Sequence, residues 1–233
     1  MRVISPEETS VLLTCLDCLP FFDTFSDWEK LELLLAGADL ITYQTGEFLI
    51  QQGSSDRVLF FLLSGRASVV REGASIPLAE LLPGDFFGEI SFLTKQKRTS
   101  NVIVHSRPNH SPEIPSSVLS EKLIATLCPD ETAPIIVICF EHSILAKLNF
   151  NTRSKIKDQI IAVLVVRIEK ISELVEEFGK QVPVFSKEPD LNNLIAGESM
   201  DFQESAKDQI IQNLVEYIVI LHHTLQKQTP DLG

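Results

Sequence analysis

From Ala38 onward, short apolar or β-branched runs alternate with turn glycines: DLITYQTG, EFLIQQG, RVLFFLLSG, RASVVREG and IPLAELLPG. Gly46, Gly53, Gly65, Gly73 and Gly84 fall seven to twelve residues apart. That spacing is the rhythm of short antiparallel strands in a sandwich or barrel. RVLFFLLS is apolar at consecutive positions, so it predicts a strand buried on both faces and central in its sheet. A further strand is expected over Asn101–His105, and PIIVICF and SILAKL read as two more.

The pattern on either side of this region has a helical period. Residues 6–36 predict helix: Glu7–Leu16 first, an interruption at Pro20, then a helix from Ser26 through Leu35. Ser26 and Glu29 have the spacing of a capping box. A long helix is expected from Asn151 to about Phe178, capped by Asn151 or Thr152 and stopped near Gly179. Its apolar positions Ile161, Leu164, Ile168, Ile171, Val175 and Phe178 form a heptad seam. A last helix runs from Asp201 to about Gln226, with Ile211, Leu214, Ile218, Leu221 and Leu225 as its seam. KDQIIAVLVVRI (Lys157–Ile168) and KDQIIQNLVEYI (Lys207–Ile218) form a short repeat, so the two helices can pack on each other or across a dimer. SRPNHSPEIPSS, at 106–117, reads as loop, and 181–200 as linker.

Composition narrows the function. The 233 residues carry a net charge of −12, which gives no general attraction to nucleic acid or anionic lipid. No signal peptide is visible at MRVISPEETS, and the longest apolar runs are too short to span a bilayer. The reading is a cytoplasmic protein with no nucleic-acid or membrane partner. Cys15 and Cys18 form a CxxC without the second pair zinc requires, so they read as reduced thiols in a helix. His105, His110, His142, His222 and His223 have no metal-ligand spacing, and no nucleophile–base pair or Walker-type loop appears. No catalytic residue, metal or cofactor is expected.

One stretch carries candidate chemistry: GDFFGEISFLTKQKRTSNV, Gly84–Val102. A short helix starting at Gly88 or Glu89 presents unpaired backbone N–H groups that favour an anion. Gly88 lets that anion approach the backbone. Arg98 supplies a permanently charged fork of donors suited to phosphate. Glu89 is repelled by the same phosphate, but it can accept from a neighbouring hydroxyl. Anion and hydroxyl together describe a sugar phosphate. The alternative is a structural Glu89–Arg98 ion pair with no ligand.

The frame GEFLIQQG…LFFLLSGRASVV…LLPGDFFGEISFL…RTSNV resembles the cyclic nucleotide-binding domains of protein kinase A regulatory subunits, nucleotide-gated channels and catabolite activator proteins. The resemblance spans roughly residues 19–178. It implies a mainly β, α+β fold: an eight-stranded antiparallel β-roll, or jelly roll, flanked by N- and C-terminal helices. The expected organisation is N-terminal helices over 1–36 and the roll over 37–150, with an insertion at about 106–133. A long helix over 151–179 follows, then a linker and additional amphipathic helix over 180–233.

By this resemblance the ligand is cAMP or cGMP. Glu89 holds the ribose 2′-hydroxyl, while Arg98 and the backbone amides of Ile90 and Ser91 hold the cyclic phosphate. Thr99 sits where members that accept cGMP often carry threonine. Ser100 replaces the family's usual alanine, and Lys95, Gln96 and Lys97 replace a small-residue turn. The expectation is a sensor that signals through its C-terminal helices to an unidentified protein partner or a second subunit, as a homodimer through those helices. The alternative is a degenerate roll acting as a ligand-free scaffold. The absence of a recognition helix among the last residues argues against a transcription regulator.

Overall fold

The computed structural model describes residues 6–72, 77–94, 96–105, 118–119, 124 and 135–177, then 204–205, 207–212, 214–215 and 218. The expected insertion at 106–133 lies almost wholly, and the 181–200 linker wholly, outside the described residues, as do Gly73, Lys95 and Cys128. The chain divides into two compact units, residues 1–148 and 149–233.

The first unit opens with α1 (Pro6–Asp17), a 3-10 turn at Pro20–Phe22, and α2 (Asp27–Gly37). Ser26 caps α2 and the capping box with Glu29 is complete. At the other end of α2, Lys147 Nζ donates to the Ala36 carbonyl at 2.6 Å, which satisfies one of the acceptors every helix leaves open. Eight strands follow among the described residues: β1 (Ala38–Tyr43), β2 (Phe48–Ile50), β3 (Val58–Ser64), β4 (Arg66–Val70), β5 (Ala79–Leu81), β6 (Phe86–Phe87), β7 (Asn101–His105) and β8 (Ile135–Glu141). The short helix α3 (Glu89–Leu93) lies between β6 and β7.

The strands form two antiparallel four-stranded sheets, ordered β1-β8-β3-β6 and β2-β7-β4-β5. This is the β-roll with flanking helices that the resemblance implies. The doubly apolar run is the internal strand β3, and it explains how the roll is held. Because side chains alternate, Phe60 and Leu62 point into the cluster between the sheets, with Ile50, Phe87, Val102, Val104 and Val137. Phe61 points the other way, into rings contributed by Phe21, Phe22, Phe86 and Phe140, with centroids 5.0–5.9 Å away. Phe61 is fully buried, at 0% exposure, so the 3-10 turn is pinned to the outer face of the sheet by aromatic contact.

SILAKL does not form the expected strand. His142–Ala146 is a 3-10 helix, because β8 has already taken the apolar run before it and the chain turns there. Cys15 lies in α1 and Cys18 just beyond it, and both are free thiols. Burial, and then the nearby Cys18, push the Cys15 thiol up to about 12. Burial, with Asp39 and Glu141 nearby, does the same to Cys139.

The second unit is built on α4 (Phe150–Glu177). Its cap is Asn149, not Asn151 or Thr152: the Asn149 side chain accepts the Thr152 N–H at 3.0 Å. The described residues between 204 and 218 are helical and lie along α4. Arg153 Nη2 donates to Glu204 Oε2 at 2.8 Å, Lys157 Nζ to Glu204 Oε1 at 3.1 Å and Lys207 Nζ to Ser154 Oγ at 2.7 Å. These partners are 51, 47 and 53 residues apart, so position advances together on both segments and they run parallel. Ile156, Ile160 and Leu164 are buried here, as are Ile210, Ile211, Leu214, Val215 and Ile218. Leu164 of the heptad reading is buried as expected, but one turn earlier Ile160 is the buried isoleucine and Ile161 is only half-buried. Ile171, Val175, Phe178, Leu221 and Leu225 have side chains outside the described residues. No helix among the described residues is long and apolar enough to cross a membrane.

Candidate functional site

The sequence places the candidate residues where β6 ends and α3 begins. Gly88 stands at that junction with φ 84° and ψ 8°, a left-handed conformation that favours glycine. A Cβ there would lie 2.6 Å from Arg98 Nη1 and 2.7 Å from the Val58 carbonyl oxygen. The glycine is thus required twice, by its backbone angle and by the side chain pressed against it.

Glu89 opens α3 and is buried, at 4% exposure. Ile90 is half-buried and Ser91 buried. Phe92 donates its N–H to the Gly88 carbonyl at 3.1 Å, closing the first turn; the amides of Ile90 and Ser91 precede that closure. Arg57 braces the other end of α3, with Nε donating to Ser91 O at 3.1 Å and Nη2 to Phe92 O at 3.1 Å. A positive group at a helix C-terminus complements the helix dipole.

Arg98 comes from the loop ahead of β7 and is 4% exposed. Its backbone is fixed against the β2–β3 connection: Arg98 N donates to Ser54 O at 2.9 Å and Gly53 N donates to Arg98 O at 2.8 Å. Its guanidinium reaches back to the Gly88 turn. Nη1 donates to Gly88 O at 2.9 Å, Nη2 to Val58 O at 2.7 Å and Nε to Asp56 Oδ1 at 2.9 Å, and Nη2 also bonds that Asp56 oxygen. The Phe60 ring lies 5.8 Å from the guanidinium carbon. Four of the five N–H donors are therefore engaged within the chain, leaving one on Nη1.

Arg98 pairs with the carboxylate of Asp56, a partner not considered from sequence. Burial alone would push the Asp56 carboxyl up. Hydrogen bonds from Arg98 and from Ser54 Oγ, the latter at 2.5 Å, outweigh burial and hold it below its ordinary value. Sequence reasoning missed Asp56 and Arg57. Both sit in QGSSDR, where an aspartate reads as an ordinary turn residue, and only the closure of the roll brings them to the cassette. Thr99 follows Arg98 but is exposed, and Ser100 is half-buried. Among the described residues no group of histidine, cysteine and carboxylate side chains is arranged to hold a metal.

Residues 40–107 match the cyclic nucleotide-binding domain family. The cAMP-dependent protein kinase regulatory subunit of Emericella nidulans is 29% identical over 87 residues, 37% of this chain and 21% of that protein. Human potassium/sodium hyperpolarization-activated cyclic nucleotide-gated channel 3 is 37% identical over 60 residues, 26% of this chain and 8% of the channel. The chain thus aligns with less than a quarter of the length of either relative. A solved cyclic nucleotide-binding domain from Methylobacillus flagellatus superposes with a TM-score of 0.53 at 14% identity, covering 76% of this chain and 88% of that one. At that identity the likeness is one of fold. The match to the cyclic nucleotide-binding domain family therefore covers residues 40–107, which lie within the roll described above, and the solved domain shares its fold.

Proposed function

We propose that the roll binds cAMP or cGMP and that the chain is a non-catalytic, cytoplasmic regulatory protein. Occupancy of the roll would pass to the C-terminal helices, and through them to a protein partner or a second subunit. The observation that carries this reading is the Arg98 guanidinium, buried and held across the Gly88–Glu89 turn. A buried cation facing the open amides of a helix start is a site for a compact anion.

The hydrogen-bond pattern supports a way for phosphate to enter. Nη1 has one unused N–H and one bonded to Gly88 O. If phosphate takes both, Gly88 O still accepts from Phe92 N at 3.1 Å and from Ser91 Oγ at 3.4 Å. The exchange strands no acceptor, so its cost is small. Asp56 keeps Nε and Nη2 occupied and fixes the plane of the fork. Glu89, one residue from the turn, would take the ribose 2′-hydroxyl, and the Ile90 and Ser91 amides would take phosphate oxygens. Thr99, being exposed, would reach the ligand only at its edge.

A second reading is favoured by the same four bonds. A guanidinium so fully engaged within the chain is also what a ligand-free scaffold would have. Thermal unfolding separates the two. Under the sensor reading, cAMP or cGMP raises the Tm and Arg98→Ala abolishes the rise; ligand at about 100 times Kd stabilises by about 2.7 kcal/mol. Under the scaffold reading, neither nucleotide shifts the Tm at millimolar concentration.

A further inference from the structure

The second unit contains a local symmetry. Lys157–Ile161 and Lys207–Ile211 are both KDQII, and Leu164, Val165 and Ile168 recur as Leu214, Val215 and Ile218. The ion pairs between the two copies are reciprocal: Lys157 meets Asp208 at 2.6 Å, and Lys207 meets Asp158 at 2.5 Å. The segments are parallel and displaced by the same interval that separates Lys157 from Lys207. Each residue type therefore faces its own counterpart's neighbourhood, as across the two-fold axis of an isologous interface, but within one chain.

The positions where the copies differ support this. Ala162 and Val166 of α4 are exposed, and their counterparts are Gln212 and Glu216. The shared positions include buried ones: the Lys157 side chain, only 4% exposed, together with Ile160, Leu164, Ile210 and Leu214. None of the four α4 positions that differ between the copies (Ala162, Val163, Val166 and Arg167) is buried, whereas the shared Lys157, Ile160 and Leu164 are.

A surface that pairs with a copy of itself in cis also fits a copy of itself in trans. We propose that the 204–218 segment stands in for a second subunit. It covers the face of α4 on which α4 of a second copy of this chain docks, in the same parallel register. The chain is a monomer while the internal pair holds and dimerises through α4 when that segment is displaced. A trans pair keeps the Lys157-to-Asp158 bridges in both directions. Two features tip the balance to cis. Glu204 binds Arg153 and Lys157 together, at 2.6 and 3.1 Å, whereas its counterpart in α4 is Ser154. Tethering within one chain also supplies an effective concentration of millimolar order. The inference uses only the second unit, so it stands or falls apart from nucleotide binding.

The test is the mass of the full chain in solution by sedimentation equilibrium, without nucleotide. The wild type should be monomeric, at 26.0 kDa. Glu204→Lys with Asp208→Lys sets two ammonium groups against Arg153 and Lys157 and leaves α4 unaltered, so the mass should approach twice that value. Adding Arg153→Glu and Lys157→Glu restores the cis bridges with their signs exchanged. It also replaces the trans bridge to Asp158 of a second copy by repulsion between two carboxylates, so the monomer should return. As a second readout, Leu164→Cys with Leu214→Cys should oxidise within one chain, while Leu164→Cys in the background of Glu204→Lys with Asp208→Lys should give a covalent dimer. A wild-type dimer, a Glu204→Lys, Asp208→Lys variant that remains folded and monomeric, or cysteine pairs that fail to oxidise in these two ways would overturn the proposal.

Discussion

Replacing Gly88 by alanine probes the cassette at its tightest point, and the structure supplies its own control. Gly88 and Gly46 have nearly the same φ, 84° and 89°. A Cβ on Gly46 meets nothing within 4 Å, while one on Gly88 meets Arg98 Nη1 at 2.6 Å, Val58 O at 2.7 Å and Ile50 Cδ1 at 3.3 Å. Both substitutions incur the left-handed penalty, about 1–2 kcal/mol. Only Gly88→Ala also collides. Val58 O belongs to β3 and cannot retreat, so Arg98 must move, and its bond to Gly88 O is the first lost. A charge-assisted bond of this kind is worth about 1.5–3 kcal/mol. Gly88→Ala should therefore cost about 2.5–5 kcal/mol and Gly46→Ala about 1–2 kcal/mol. At roughly 2–4 °C per kcal/mol for a chain of this size, Tm should fall by about 5–20 °C for the first and several degrees for the second. The assay is thermal unfolding followed by β-sheet ellipticity, since Trp28 is 73% exposed and a poor fluorescence reporter of the core. Equal destabilisation by the two substitutions would refute the claim that Arg98 is seated against the Gly88 turn.

Asp56 has a depressed pKa when folded, so its stabilisation is present above the ordinary carboxylate range and lost as pH falls below 3.8 through the folded value. Wild type should lead Asp56→Asn by a constant margin above about pH 5, with the gap closing in acid; urea titrations at several pH values measure it, and a gap that widens in acid would contradict the pairing. Ser26→Ala removes the α2 capping box and should cost about 1 kcal/mol in the same titrations; no change would mean the helix start does not depend on that cap. Cys15 and Cys139, buried and with thiols pushed up to about 12, should resist maleimide at pH 8 while the half-buried Cys18 reacts before either; peptide mapping that finds Cys15 labelled before Cys18 would overturn that order.

What was legible in the sequence follows from what is locally encoded. β3 was readable because VLFFLLS is apolar on both faces, and only a strand covered on both sides accommodates that. The Ser26–Glu29 box and the Asn101–His105 strand were readable because each is set by a handful of neighbouring residues. SILAKL failed because a short apolar run does not say whether a sheet edge is open to receive it. In α4 the reading took Ile161 for Ile160 because KDQII offers two adjacent isoleucines, while Leu164 was placed correctly. Gly88 and Arg98, which the structure brings together, were visible by their ten-residue spacing. Asp56 was not: it lies 42 residues from Arg98, and its role exists only after the β2–β3 connection closes over the cassette.

The account rests on Arg98 serving as an anion site and not only as a structural cross-link. Calorimetric titration of cAMP and cGMP into the full chain and into Arg98→Ala, both checked for folding, tests this directly. The account predicts saturable binding of at least one nucleotide to the wild type, weakened about 10- to 100-fold or more in the variant, the equivalent of about 1.5–3 kcal/mol. Equal affinity in the two proteins, or no heat from either nucleotide at millimolar concentration, would contradict it.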